Sequence, residues 1–160
     1  MNKHAVHQLI LEKLVVDLDI AQRAAQTAYE TATHEENIAE NKYDTLGLEA
    51  SYLAAGQAKR VEEIKQALTL CHSMAMRAYD DERGIEVGAL VGLEDENGRQ
   101  QWLFLAPDAA GLKVEVVGQP VTVITARSPL GKSLLGKFEG DEVEILVAGA
   151  RQHFTVTECK

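Results

Sequence analysis

The first 80 residues contain no proline, and this absence constrains the fold more than any other feature of the sequence. Proline interrupts helices, whereas the residues that dominate this half, Ala, Glu, Leu and Gln, are good helix formers. Mostly apolar residues recur at steps of three and four along two stretches, which predicts two helices with one buried stripe each. The stripes comprise Val6, Ile10, Leu14, Leu18, Ala21, Ala25, Ala28 and Ala32, then Ala50, Ala54, Gln57, Val61, Ile64, Leu68, Cys71, Ala75 and Ala78.

Neither stripe can be buried by its own helix, so residues 1–80 are predicted to form an antiparallel two-helix coiled-coil hairpin. Placing Val6 opposite Ala78 at the open end aligns both stripes and puts the chain reversal in the segment "ENKYDT", residues 40–45. With about 36 residues in each arm, at 1.5 Å per residue, the rod would be about 55 Å long. Two acids, Glu40 and Asp44, would then lie at its tip.

Residues 83–160 differ in composition and pattern, because they contain glycine and proline and their apolar residues alternate or cluster. Six strand-like runs are predicted, with turns at the Asn97-Gly98 pair and at residues 148–150. The runs cover residues 86–94, 100–106, 112–117, 120–126, 141–147 and 151–158. One short helix is predicted over residues 128–137, with Ser128 as N-cap, Pro129 in the first helical position and Gly136 at the C-terminal cap. The predicted fold class is therefore α+β in two domains, the second a mostly antiparallel sheet with one short helix.

Composition excludes several classes of function. The net charge of −9 argues against broad electrostatic binding to bare nucleic acid, which needs Lys and Arg side chains. The two cysteines match neither a metal-site spacing nor a disulfide framework, and no Gly-rich phosphate loop or nucleophile motif is present. No signal peptide or membrane span is recognisable, so a cytoplasmic protein without a membrane partner is expected. A monomer is the simplest expectation, since a hairpin covers its own stripe.

Two stretches of the sequence resemble one protein family. "SPLGKSLLGKFEGDEVEI", residues 128–145, is similar to the Ser-Pro, short helix, Gly-Lys, acidic turn and final strand of the bacterial Gre factors, GreA and GreB. "SYLAAGQAKRVEEI", residues 51–64, is similar to that family's Tyr-x-Ala-Ala stretch on the second helix. The resemblance covers nearly the whole chain and implies a transcript cleavage factor with a small FKBP-like second domain.

The resemblance implies RNA polymerase as the partner. Residues 83–160 would dock at the rim of its secondary channel, and the rod would enter the channel toward the backtracked RNA 3′ end. The polymerase's own active site would then cleave that RNA, so the chain itself would be an accessory factor and not an enzyme. Candidate partner-binding residues are Tyr43 at the tip and Ser128, Pro129, Lys132 and Lys137 in the second domain.

The resemblance also implies that acidic tip residues help to hold a Mg²⁺ ion shared with the polymerase, and Asp44 and Glu40 are the candidate catalytic and metal-binding residues. Carboxylate oxygens are ligands that Mg²⁺ prefers. An ungapped alignment on Tyr52, however, places Thr45 and Leu48 where the family has its Asp and Glu. Two alternatives therefore stay open: a secondary-channel binder that does not cleave, competing with cleavage factors or inhibiting transcription, and an adaptor unrelated to transcription. Asp44 also fits a purely structural role near a helix N-terminus.

Overall fold

The computed structural model describes residues 1–34 and 45–160. The predicted tip residues Glu40, Tyr43 and Asp44 lie outside the described residues. Helices come first in the chain and strands follow, as the sequence predicts. The elements are α1 (Lys3–Thr33), α2 (Thr45–Ser73), β1 (Leu90–Asp95), β2 (Gln100–Leu105), β3 (Lys113–Val116), β4 (Gln119–Ile124), α3 (Pro129–Leu134), β5 (Glu142–Val147) and β6 (Ala150–Cys159).

The helical hairpin is confirmed, and its buried residues follow the predicted stripes. Burial recurs every three to seven residues along each helix, except for one longer interval on α2, as expected for a helix with one covered side. The buried residues are Val6, Ile10, Leu14, Ala21 and Ala28 on α1, and Ala50, Val61, Ile64, Ala67 and Cys71 on α2. The bulky buried residues lie toward the start of α1 and in the second half of α2, and most of the buried alanines lie toward the other ends of the two helices.

The second stripe ends earlier than its sequence pattern suggests. Ala75 and Ala78 are exposed, because α2 ends at Ser73 and residues 75–80 have no helical structure. No proline or glycine stops the helix at this point. The chain after α2 lies instead against Gly88, where an added Cβ atom would be only 2.7 Å from the Ala75 carbonyl oxygen. A contact with a distant segment therefore ends this helix, and the periodicity of the sequence does not reveal such a contact.

The sheet contains six described strands in the order β3-β4-β2-β1-β6-β5. Four neighbouring pairs are antiparallel, and β2 with β4 is parallel, so the prediction of a mostly antiparallel sheet is confirmed. All six predicted strands are present. The first begins at Leu90 instead of Glu86, and α3 is shorter than the predicted helix over residues 128–137.

Both faces of the sheet are covered over part of their area. One face carries the main core, in which Leu134 of α3 packs with strand residues such as Leu93, Leu103 and Val156. Leu90, Phe104 and Val121 are fully buried and alternate along their strands with the main-core residues, so they point to the other face. The His7 ring of α1 stacks on Phe104, with ring centroids 6.2 Å apart. The start of α1 therefore covers part of this second face.

The chain divides into two compact units, one of Met1–Glu12 with Leu70–Lys160 and one of Lys13–Thr69. The first unit thus combines the sheet domain with the start of α1 and the end of α2. The predicted domain boundaries, at residues 1–80 and 83–160, stay a prediction. None of the helices in the described ranges is long and apolar enough to span a membrane.

Both cysteines are buried free thiols. Burial raises the pKa of Cys159 to about 12, and the nearby carboxylates of Glu139 and Asp141 act in the same direction. Burial also raises the pKa of Cys71. A thiol that stays protonated is a poor nucleophile, so these cysteines act as small apolar residues of the core. The prediction that Cys71 lies on the buried stripe is confirmed.

Two glycines in helices are expected to respond oppositely to substitution by alanine. In Gly131→Ala the new Cβ atom would lie 1.9 Å from the Thr125 carbonyl oxygen, so α3 would have to move away from that segment. We expect a loss of about 2 kcal/mol or more in the free energy of unfolding. The Cβ position of Gly56 faces open space, so Gly56→Ala should add about 0.5–1 kcal/mol. Urea unfolding of both variants checks this, and equal stabilities would contradict the close approach at Gly131.

The buried thiols predict a loss of stability at alkaline pH. The unfolded chain releases the Cys159 proton near the ordinary thiol pKa of 9.0, whereas the folded chain retains it up to about 12. The stabilising contribution is therefore fully present below pH 9 and is lost as pH rises from 9 toward 12. Urea unfolding at several pH values should show a shallower decline for Cys159→Ala than for the wild type. Parallel declines would show that this thiol does not ionise on unfolding.

Candidate functional site

Residues 127–137, which include α3, contain four of the five predicted partner-binding residues. Ser128 is the N-cap, as predicted: its Oγ accepts a hydrogen bond from the Gly131 N–H at 3.0 Å. The same hydroxyl donates to the Thr125 carbonyl oxygen at 3.0 Å. Its single proton is therefore engaged, and the residue acts as a cap and not as a nucleophile. Pro129 follows in the first turn, where its missing N–H is harmless.

Close packing fixes the position of α3. Gly131 lies directly against the Thr125 backbone, and Leu134 is fully buried in the main core. Beyond the helix, the Gly136 N–H donates to the Ile85 carbonyl oxygen, and the Ile85 N–H donates to the Lys137 carbonyl oxygen, both at 2.8 Å. Gly136 follows the C-cap residue Leu135 and has a φ of 76°, which glycine adopts without strain.

This segment contains three cations. Lys132 on α3 is exposed and Lys137 is half-buried. Arg127 precedes the cap, with a side chain that is 73% exposed and lies 3.4 Å from the Asp108 carboxylate. Together with the exposed Pro129 ring, these side chains form a small basic and apolar surface, which we call the α3 surface (residues 127–137). Such a surface can bind an acidic or mixed protein surface.

The predicted metal-binding residues Asp44 and Glu40 lie outside the described residues, and so does the predicted contact residue Tyr43. Across residues 1–34 and 45–160, no group of three or more His, Cys, Asp or Glu side chains has a geometry suited to a metal ion. The described part of α2 begins at Thr45. Leu48, about one turn later, is 42% exposed, and Tyr52, about two turns later, is 74% exposed. Two apolar residues are thus exposed in the first two turns of α2.

Two side chains at the start of α1 have roles that the sequence analysis missed. His7 Nε2 lies 2.7 Å from the Cys71 carbonyl oxygen, in the last turn of α2. Lys3 is buried, and its Nζ donates to the Arg77 carbonyl oxygen. Burial lowers the pKa of Lys3, and the charge of Glu86 opposes this effect. Lysine is almost never fully buried without a partner, and only the tertiary fold reveals that partner.

A second surface of the sheet domain is acidic. A cleft of about 350 Å³ lies along β1, β5 and β6. His153 lies within it, 3.6 Å from the Glu144 carboxylate and 3.9 Å from that of Glu96. The acids of this cleft repel phosphate groups. The sheet domain thus has two surfaces of opposite charge, the basic α3 surface and this acidic cleft. The cleft is lined by Glu94, Asp95, Glu96, Glu142, His153, Phe154 and Thr155.

Comparison with known proteins gives matches to one family. The family model described as transcription elongation factor, GreA/GreB, C-term matches residues 81–160. The transcription elongation factor GreA of Jannaschia sp. (strain CCS1) is 25% identical over 99 residues, which cover 62% of this chain and 59% of the relative. The alignment with this curated relative thus spans about three fifths of the relative's length.

Solved structures of similar proteins give low scores. GreA factor homolog 1 (Gfh1) of Thermus thermophilus is 22% identical, with 94% of each chain covered and a TM-score of 0.38. A GreA/GreB elongation factor from Nitrosomonas europaea is 20% identical, covers 64% of this chain and 90% of its own, and has a TM-score of 0.37. The family model is the stronger finding, since it covers residues 81–160 of a 160-residue chain. This chain belongs to the GreA/GreB family of transcription elongation factors.

Proposed function

We propose that this protein binds RNA polymerase at its secondary channel and stimulates the polymerase's intrinsic cleavage of backtracked RNA. The observation that carries the proposal is the GreA/GreB match over residues 81–160, preceded by a helical hairpin. In this proposal the chain acts as an accessory factor of the polymerase. The reacting phosphodiester and the active site belong to the polymerase.

The α3 surface is the proposed docking site on the polymerase. Ser128 and Pro129 fix its backbone, and Lys132 and Lys137 supply charge toward acidic groups of the partner. Contacts of this kind steer association and fix orientation more than they add raw affinity. The rigid attachment of α3 to Thr125 and Ile85 supports this role, because a preorganised surface loses little entropy on binding.

Residues 40–45, the predicted tip of the hairpin, are the proposed site at which the chain contributes to RNA cleavage. Asp44 and Glu40 offer hard carboxylate oxygens, and this donor chemistry fits Mg²⁺, which needs only one or two protein carboxylates when water and phosphate supply the rest. A Mg²⁺ held there would stabilise charge on the attacking or leaving oxygen of the RNA phosphate. The role of the chain is to bring these two side chains to the backtracked RNA 3′ end, with Tyr43 in contact with the channel.

A second candidate function rests on a specific feature of α2. The ungapped alignment on Tyr52 places Thr45 and Leu48 at the family's two acidic positions, and Leu48 is exposed. A leucine cannot bind a metal ion, so this alignment favours a protein that occupies the channel without stimulating cleavage. Such a protein would compete with cleavage factors or inhibit transcription.

The decisive experiment measures RNA cleavage in purified, backtracked elongation complexes. We expect the wild type to shorten the RNA in the presence of Mg²⁺. Asp44→Ala and Glu40→Ala should each reduce cleavage by about 10–100-fold, because loss of a ligand weakens the shared ion. Glu12→Ala, an exposed acid at the start of α1, is the matched control and should cleave normally. Polymerase binding without cleavage by the wild type would favour the second candidate.

The docking surface is tested by charge reversal. We expect Lys132→Glu combined with Lys137→Glu to weaken polymerase binding about tenfold or more, since two attractive contacts become repulsive. Lys113→Glu combined with Arg99→Glu changes two exposed cations outside the α3 surface, so it alters the net charge by the same amount, and it should bind like the wild type. Affinities from fluorescence titration at two salt concentrations check both results. Equal losses in both variants would indicate a general charge effect in place of a docking surface.

A further inference from the structure

The turn between β3 and β4 contains a strained and fully exposed valine. Val117 has a φ of 51° and Gly118 a φ of 75°, so both residues of this two-residue turn are left-handed. Glycine adopts this conformation freely, whereas a β-branched side chain is a genuine outlier there. Val117 is also 97% exposed. The domain therefore carries backbone strain and exposed apolar surface at the same residue.

The turn between β5 and β6 shows that this combination is not a requirement of the fold. Ala148 and Gly149 have φ values of 51° and 80°, so both residues of this two-residue turn also have a positive φ. Sequences favour Asn-Gly or Asp-Gly in such turns. Alanine is a modest departure, but valine adds a branched Cβ and more apolar surface. Because the Val117 side chain is so exposed, packing against the described residues does little to offset its strain.

We propose that Val117 is a contact residue that inserts into an apolar pocket on RNA polymerase, and this inference rests on the proposed function. Strained residues persist where function requires them, and a fully exposed aliphatic side chain becomes favourable only when a partner buries it. The side chain has no charge, hydrogen-bonding group or aromatic ring, so it cannot recognise phosphate or stack on a base. The net charge of −9 also disfavours nucleic acid at this position. A protein pocket is the occupant that this chemistry fits.

The location of the turn adds a second point of attachment. Val117 precedes β4, and Ser128 of the α3 surface follows the opposite end of β4. The six residues of β4 separate these ends by about 20 Å at 3.3 Å per residue. One contact leaves a domain free to rotate on its partner, whereas two contacts at this separation fix its orientation. Valine has few rotamers to lose, which suits a small rigid anchor.

Three variants distinguish a binding role of the Val117 side chain from the effect of its backbone strain on stability. Val117→Asn and Ala148→Asn both place a favoured residue in a left-handed turn, so both should raise Tm by about 2–4 °C. Only Val117→Asn should weaken polymerase binding, by about fivefold or more. Val117→Thr keeps the branched Cβ but makes the side chain polar. It should weaken binding without raising Tm. Binding is measured by fluorescence titration with purified RNA polymerase.

The opposite results are equally specific. Unchanged affinity of Val117→Asn would overturn the inference, and the proposed function would stand if the α3 charge reversal still weakened binding. Equal losses in Val117→Asn and Ala148→Asn would also overturn it. Sedimentation provides a further outcome: a dimer of this chain that Val117→Asn dissociates, with unchanged polymerase affinity, would assign the valine to self-association. A wild type that does not bind polymerase would overturn the proposed function and this inference together.

Discussion

The end of α2 depends on side chains supplied by the start of α1. A helix leaves its last four carbonyl oxygens without partners inside the helix, and a buried carbonyl without a hydrogen bond costs about 1–3 kcal/mol. His7 lies within hydrogen-bonding distance of one of them, that of Cys71, and Lys3 donates to the Arg77 carbonyl just beyond the helix. Because His7 also stacks on Phe104, the same side chain joins both helix ends to the sheet. This contact lies within the compact unit formed by Met1–Glu12 and Leu70–Lys160.

The same physical rule governs α3, where a side chain again satisfies backbone groups. Ser128 accepts from one helix N–H and donates to the carbonyl oxygen of Thr125, and Gly131 permits the close approach that this geometry needs. A six-residue helix is too short to be stable alone, so its position comes from these contacts and from burial of Leu134. The α3 surface is therefore a consequence of the sheet domain and not an independent element.

Periodicity and turn chemistry predict much of this fold from the sequence. The apolar stripes locate α1 and α2, the Asn97-Gly98 turn and strand-like runs locate the sheet, and Ser128 with Pro129 locates the start of α3. Contacts between distant segments escape such reasoning. The stop of α2 at Ser73, the burial of Lys3 and the parallel pairing of β2 with β4 each depend on residues far apart in the chain. For the candidate site, residue identities suggest the α3 surface, but the strain at Val117 becomes visible only from the backbone angle.

Charge distribution limits how a factor of this kind can bind its partner. With a net charge of −9 and an acidic cleft along β1, β5 and β6, the chain gains little from long-range attraction to nucleic acid. At physiological salt, charges beyond about 8 Å are largely screened. In the proposed function, affinity for a polymerase loaded with DNA and RNA therefore has to come from short-range contacts with its protein surface. The cations of the α3 surface and the Val117 side chain are the contacts proposed for that role.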